Sequence, residues 1–340
     1  MEQNKQKRAL VAGGAGFIGS HLCDRLISEG YHVICLDNLY TGRIENISHH
    51  LNNPHFEFVN QDVITPFEAQ NLSVIFNLAC PASPKQYQKD AIYTTKISVL
   101  GTINLLELAT ANKCPVLQAS TSEVYGDPLV HPQPETYYGN VNPVGIRSCY
   151  DEGKRCEGSL CMDYFRHYRT KVKIVRIFNT YGPRMSEEDG RVVSNFVTQA
   201  LKGEPLTIYG DGSQTRSFMY VSDLIEAFMR MIGTEDDFTG PVNLGNPEEL
   251  TIKQFASMVV EQTSAKTLFV NQNLPQNDPT RRKPDTAIAN KKLSWSPYVN
   301  AVEGIQKVID YFRMELALSQ YEYVNSDKDD NKSIKSKIVC

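Results

Sequence analysis

Short apolar runs alternate with stretches of helical periodicity through the first half of the chain. The runs fall at 8–12, 32–36, 56–60, 74–78, 116–119 and 172–178, and helical spacing fills 19–29, 92–111 and 150–167. Strands that recur with helices between them predict a parallel sheet with crossover helices. The fold class is therefore α/β, a Rossmann-type doubly wound parallel sheet. Beyond residue 180 the texture changes, and Pro183, Pro205, Gly210, Gly212, Pro241 and Pro247 cut the chain into shorter segments. Residues 221–232 read as a helix begun by Ser222 or Asp223, 241–244 as a strand, and 250–262 as a helix with Thr251 as its N-cap. The domains expected are a nucleotide-binding domain over 1–180, to which 217–245 returns, and a smaller C-terminal substrate-binding domain over 181–216 and 246–320. The polar segment 321–340 reads as a disordered tail.

The first strand, Ala9-Leu10-Val11-Ala12, runs into Gly13-Gly14-Ala15-Gly16-Phe17-Ile18-Gly19 and then into a helix. In that setting Gly13 permits a tight turn, Gly16 lets backbone approach a pyrophosphate, and Gly19 lets the helix pack closely on the strand. The helix N-terminus adds free N–H groups and a positive dipole end. Asp37 closes the second strand, where a carboxylate accepts from ribose hydroxyls and repels a 2′-phosphate, so NAD is expected over NADP. Arg43, nearby, weakens that preference slightly. Asp62-Val63 closes the third strand, where the acid either reaches the adenine or caps the loop.

Composition adds limits. The 340 residues are 41% hydrophobic and 22% charged, with net charge -4, so nothing points to a nucleic-acid partner. No apolar stretch has the roughly 20 residues needed to span a bilayer, and the polar N-terminus does not read as a signal peptide. Eight cysteines at irregular spacings include no C-x-x-C pair and no zinc-type Cys/His set, so no metal is expected. Reduced thiols in a cytoplasmic protein are the expectation.

Tyr150 and Lys154 stand at i and i+4 and share a helix face. A phenol is too weak an acid to serve as a base near neutrality unless charge helps it, and a neighbouring ammonium and a nicotinamide cation both favour phenolate. The pair gains weight from the strand before it, which ends in Ser120-Thr121-Ser122-Glu123.

Several blocks carry a closer resemblance. They are Ala79-Cys80-Pro81-Ala82-Ser83-Pro84, Thr121-Ser122-Glu123-Val124-Tyr125-Gly126, residues 142–155, Arg176-Ile177-Phe178-Asn179 through Met185, residues 189–196, residues 209–218, and Arg282-Lys283-Pro284-Asp285. From about residue 8 to 313 the chain resembles the UDP-glucuronate decarboxylases (UDP-xylose synthases) of the extended short-chain dehydrogenase/reductases. The resemblance implies oxidation at sugar carbon 4 with NAD, loss of carbon dioxide, and re-reduction to UDP-xylose. It implies Tyr150 as base with Lys154, Thr121 on the carbon-4 oxygen, Ser122 and Glu123 around the carboxylate, and Arg282 orienting it. Phe17, Ile18, Asn38, Thr41, Gly42 and Ala79 join the expected cofactor contacts. Pro81, Ser83, Asn179, Arg191, Tyr209, Gln214 and Arg216 join those to the UDP-sugar. Taken singly, Thr121 and Ser122 also suit a strand-end cap, Tyr209 a core aromatic, and Arg191 or Arg216 a surface ion pair. The helices over 92–111 and 150–167 resemble those that pair two subunits into a four-helix bundle, which implies a homodimer.

The chain departs from this pattern at three places. Many members carry lysine at the position of Tyr93, asparagine at that of Ser98, and Ala-Glu where this chain has Glu157-Gly158. Tyr93 is expected to alter a substrate contact, and Gly158 to cost about 1 kcal/mol of helix stability relative to alanine. The rival readings are a sugar-nucleotide 4-epimerase or 4,6-dehydratase and, in another class, a non-catalytic NAD-sensing scaffold. A dehydratase usually shows Thr-Asp-Glu in place of Thr121-Ser122-Glu123, and retention of Thr121, Tyr150 and Lys154 argues against the scaffold.

Overall fold

The computed structural model describes residues 6–273 and 281–336, with side chains through residue 318. Six parallel strands come from the first half: β1 (Arg8–Ala12), β2 (His32–Asp37), β3 (Phe56–Asn60), β4 (Val74–Asn77), β5 (Val116–Thr121) and β6 (Val172–Ile177). Between them lie α1 (Phe17–Ser28), α2 (Pro84–Tyr87), α3 (Ala91–Lys96), α4 (Thr102–Asn112) and α5 (Ser148–Tyr168). The helix expected over 92–111 is thus α3 and α4 joined by a π-helical turn, Ile97–Gly101.

The second half contributes β7 (Thr180–Tyr181), α6 (Val192–Lys202), β8 (Leu206–Tyr209), β9 (Thr215–Ser217), β10 (Met219–Tyr220), α7 (Val221–Ile232) and β11 (Val242–Leu244). It ends with β12 (Glu249–Thr251), α8 (Ile252–Thr263), β13 (Phe269–Gln272), β14 (Arg281–Arg282), α9 (Ala287–Leu293) and α10 (Ala301–Ser336). The main sheet has the order β11-β6-β5-β4-β1-β2-β3, with every pairing parallel. The chain crosses from β3 to β4, on the other side of β1, so a crevice opens where the strand order reverses.

Alternation along the central strands sorts their side chains into two cores. Ala9, Val11, Val33 and Cys35 join one cluster with Leu22 and Leu26 of α1 and Leu224 and Phe228 of α7. Leu10, Ala12, Ile34 and Leu36 join the other with Leu105, Leu106 and Ala109 of α4 and Cys161 of α5. Strands covered on both faces have no solvent side, hence their unbroken apolar sequence.

Some expectations change in detail. Neither Ser222 nor Asp223 caps α7, whose N-cap is Tyr220. Asp223, buried, instead accepts from the backbone N–H groups of Tyr298 at 3.2 Å and Val299 at 3.1 Å, tying α7 to the segment before α10. Thr251 does cap α8, in a capping box with Gln254, but Leu250 belongs to β12 rather than to the helix. Where composition predicted a disordered tail from 321, α10 continues as helix to Ser336. Residues 305–336 contain no proline or glycine, so nothing local ends a helix whose Ile305, Val308, Ile309 and Phe312 are packed in the core. Residues 337–340 lie outside the described residues. No helix among the described residues is long and apolar enough to cross a membrane.

Candidate active site

The C-terminal ends of β1, β2, β4, β5 and β6 open into one cleft of about 430 Å³. At one end Gly13 turns with φ +78°, and a Cβ there would sit 2.8 Å from the Leu78 carbonyl beyond β4. A Cβ on Gly19 would overlap the Gly13 carbonyl. The glycines therefore bring α1 tightly onto the end of β1. The N-cap of α1, Gly16, offers no side-chain cap, which leaves the first N–H groups without a side-chain acceptor. Asp37 accepts from the N–H of Ala15 at 3.0 Å and of Leu39 at 2.8 Å, and burial raises its pKa. An acid fixed in this way keeps lone pairs for ribose hydroxyls. Arg43 is drawn off towards α10, donating to Tyr311 Oη at 2.9 Å and lying 3.6 Å from Glu315. A glycine cradle, an uncapped helix start and a strand-end carboxylate together fit a dinucleotide without a 2′-phosphate.

Phe17, Ile18, Asn38, Thr41, Asp62, Val63 and Ala79 also line the cleft. Gly42 does not. Its α-carbon lies against Asp37, where a Cβ would come within 2.8 Å of the carboxylate, so it makes room for that acid. Tyr93, expected to alter a substrate contact, has its hydroxyl beside Asp37's neighbour Asn38, donating to Asp62 and accepting from Asn38 Nδ2 at 2.6 Å. Its ring meets that of Tyr40 edge-on, with centroids 4.9 Å apart. The departure at position 93 thus reshapes the pocket around Asp62.

In the middle of the cleft, Thr121 ends β5 and bonds the Tyr150 hydroxyl. Lys154 Nζ lies 5.8 Å from the Tyr150 ring centroid and donates to the Ala119 carbonyl at 3.0 Å and to Glu157 Oε2 at 3.0 Å. Tyr87 stacks on Tyr150 with centroids 4.8 Å apart and planes 4° from parallel. The expected lowering of the phenol's pKa does not follow from the protein's own groups. Burial pushes Tyr150 well up, and Lys154 recovers only part of that. Further help must come from outside the chain, as a cationic nicotinamide would give.

Glu123, just beyond Thr121, is clasped by two guanidiniums. Arg147 Nη2 donates to its Oε2 at 2.6 Å, and Arg282 reaches both oxygens, with Nη2 to Oε2 at 2.9 Å. Burial alone would raise this carboxyl, but Arg282 and Arg147 hold it down to about 2. Arg282 comes from β14, which pairs with β9 so that Arg282 stands beside Arg216. The Nε of Arg282 is buried without a partner. Ser122 and Ser83 are also buried at this wall, and the Ser83 hydroxyl likewise lacks a partner. Pro81, Asn179, Arg191, Tyr209, Gln214 and Arg216 complete the far side of the cleft. Arg191 is held by Asp189, at 2.8 Å between Nη2 and Oδ2, and Gln214 donates to the Tyr209 carbonyl at 2.7 Å.

A family model described as the NAD dependent epimerase/dehydratase family matches residues 9–245. The chain belongs to the NAD dependent epimerase/dehydratase family. Among relatives within it, the chain is 51% identical over 314 residues to UDP-glucuronic acid decarboxylase 4 of Arabidopsis thaliana, covering 92% of this chain and 70% of that one. A UDP-glucose 4-epimerase from Thermotoga maritima superposes with a TM-score of 0.84 at 30% identity, over 91% of this chain and 99% of that one. A UDP-glucuronic acid 4-epimerase from Bacillus cereus, solved with UDP-glucuronic acid and NAD, gives 0.82 at 28% identity, over 90% and 99%.

Sequence reasoning passed over several groups in this family member's site. Arg147 precedes Tyr150 by one helical turn, a spacing that would have flagged it. Tyr87, just past the 79–84 block, carried no signal. Asp151, buried with one oxygen unpartnered, is raised to about 7 by burial and by Glu123. Outside the cleft proper, Asp24 receives His49 at 2.8 Å and His50 at 2.7 Å, a set that spacing did not reveal. Arg184 takes its other oxygen at 2.7 Å, so the cluster is satisfied as an ion-pair network.

Proposed function

We propose that the chain converts UDP-glucuronate to UDP-xylose and carbon dioxide, with NAD regenerated in each turnover. The observation that carries this reading is the Glu123 carboxylate clasped by Arg147 and Arg282 beside the Thr121–Tyr150 couple. A substrate carboxylate entering beside them would meet a guanidinium that is already buried and oriented by its pairing with Glu123. The Nε of Arg282 is a free donor for that group. The 51% identity to a UDP-glucuronic acid decarboxylase supports the same reading.

The loop from Gly13 to Gly19, Asp37 and Lys154 would hold NAD, which when bound supplies the reversible oxidation of sugar carbon 4. Tyr150 takes the carbon-4 hydroxyl proton while Thr121 hydrogen-bonds the oxygen, and the Lys154 ammonium favours the phenolate. With carbon 4 a ketone, the carboxylate on carbon 5 lies β to it. The C5–carboxylate bond can then break, its electron pair passing into an enolate as carbon dioxide leaves. Arg282 and Arg147 orient the anion, and Glu123 opposes its charge, so departure as a neutral gas relieves repulsion. A proton replaces the lost group at carbon 5, and Tyr150 returns its own proton as carbon 4 is reduced. Asn179, Tyr209, Gln214 and Arg216 would bind UDP, with Arg191 exchanging Asp189 for a phosphate oxygen. Pro81 and Ser83 would face the sugar.

In this reading residues 1–180 with 217–245 serve the cofactor, and 181–216 with 246–320 serve the substrate. A cytoplasmic homodimer is part of the proposal. Among the described residues seven cysteines are free thiols, which suits a reducing compartment. Exposed Ile92 and Leu100, on the α3–α4 segment, offer apolar surface for a four-helix bundle with α5. Incubation with UDP-glucuronate tests the activity. UDP-galacturonate as product would make it an epimerase, and sedimentation as a monomer would remove the dimer.

A further inference from the structure

Beneath the Tyr150–Lys154 couple runs a buried polar network. Asn77 Nδ2 donates to Gln118 Oε1 at 2.9 Å, Gln118 Nε2 donates to Glu157 Oε2 at 2.7 Å, and that oxygen accepts Lys154 Nζ at 3.0 Å. The Ser98 hydroxyl also bonds the Glu157 carboxylate. All five residues are at most 4% exposed. Ser98 lies in the π-helical turn, a distortion often found at functional sites, and a Cβ on Gly153 would come within 2.8 Å of its Oγ. The site at position 98 is therefore tight, and a hydroxyl leaves space for Glu157 that a longer side chain would take.

We propose that Glu157 is a positioning residue: clamped by Gln118 and Ser98, its carboxylate fixes the Lys154 ammonium beneath Tyr150 and supplies the charge against which both groups titrate. Two departures, serine at 98 and glutamate at 157, thereby become one device, since the short side chain admits the acid. A buried ammonium without a counter-ion is strongly disfavoured, so the pairing keeps Lys154 charged at working pH. It also has a cost, because a carboxylate near the phenol makes phenolate harder to form. The inference deepens the reading in the preceding subsection and rests on it.

Among the described residues no other carboxylate pairs with the Lys154 ammonium. The Cys80 thiol is pushed up to about 11 by burial, and burial likewise raises Cys156 and Cys161, so all three are neutral near pH 7. Glu123, paired with Arg147 and Arg282, also raises Tyr150 but lies outside the Lys154 pairing, and Arg191 is paired with Asp189.

Removing the Glu157 charge has a defined sign. Without it Lys154 gives up its proton more readily, and Tyr150 ionises more readily beside an uncompensated ammonium. Both limbs of the kcat/KM profile for UDP-glucuronate should therefore move to lower pH. An opposite charge at this range is worth about 1 unit or more. The experiment compares the NAD-loaded parent with Glu157→Gln and with the double variant Ser98→Asn/Glu157→Ala. An acid shift of about 1 unit in Glu157→Gln is expected. A profile that falls in height but keeps its position, or moves to higher pH, overturns the proposal. Should Glu157→Gln fail to fold, the double variant carries the same two outcomes. Should the parent not process UDP-glucuronate, the preceding reading fails. The Tyr150 phenolate is then titrated by ultraviolet absorbance against Tyr150→Phe backgrounds, and an unmoved midpoint without the Glu157 charge overturns the inference.

Discussion

Glu123 and Arg282, 159 residues apart, are joined through both carboxylate oxygens at the wall of the cleft. The pairing fastens the end of β5 to β14 and sets the charge that a substrate meets. A sugar carboxylate entering here competes with Glu123 for the same guanidinium. Arg282→Ala should therefore lower kcat/KM for UDP-glucuronate by about 100-fold, equivalent to about 2.7 kcal/mol, while affinity for UDP alone changes little. Steady-state kinetics and UDP calorimetry on the same variant decide this. Equal losses in both would put Arg282 on the diphosphate.

The same pairing gives Glu123 a pH signature. Its carboxyl is held at about 2 in the folded chain, below the ordinary value of about 4.3. A depressed folded value contributes stability that is fully present above about pH 4.3 and is lost as pH falls towards about 2. In urea unfolding, the gap between the parent and Glu123→Gln should be constant from about pH 7 to 5 and shrink by roughly 2 kcal/mol by about pH 3. A gap that stays level over the whole range would show that Glu123 titrates normally.

Tyr150→Phe keeps the ring that stacks on Tyr87 and removes only the hydroxyl. The fold and NAD binding should survive, and turnover should fall by about 10²–10⁴-fold. Near-normal turnover in this variant would mean that another group takes the carbon-4 proton.

NAD should bind more tightly than NADP, because Asp37 is fixed by two backbone N–H groups and Arg43 is engaged by Tyr311. Asp37→Ala should narrow the difference, mainly by weakening NAD, as calorimetry with both dinucleotides would read. An unchanged ratio would take the discrimination away from Asp37.

Much of the nucleotide half was legible because its signals are local. The strand, the glycine loop, the helix and Asp37 follow one another within 30 residues, and the apolar runs mark strands covered on both faces. The second half was less legible. Its strands are only two to four residues long, as in β7 and β14, and are paired by long-range contacts that no periodicity announces. Arg282 entered through resemblance, and its meeting with Glu123 is decided by how β14 lies on β9, whereas Arg147, at the start of α5, was missed although it stands one turn before Tyr150. Tyr93 stood out only as a departure from the family's lysine, and that α3 carries its hydroxyl to Asp62 could not be read from the sequence. Glu157 looked like a helix substitution beside Gly158. Its meaning appeared only when the fold set it between Lys154, Gln118 and Ser98. The α-carbon of Gly158 faces open space, so that glycine has no packing role to set against its helix cost.

The most direct test of the central claim is nuclear magnetic resonance of the nucleotide sugars during incubation with UDP-glucuronate and catalytic NAD, with evolved carbon dioxide measured in parallel. The expected result is UDP-xylose and carbon dioxide in equal amounts, with no net NADH. UDP-galacturonate without gas would contradict it.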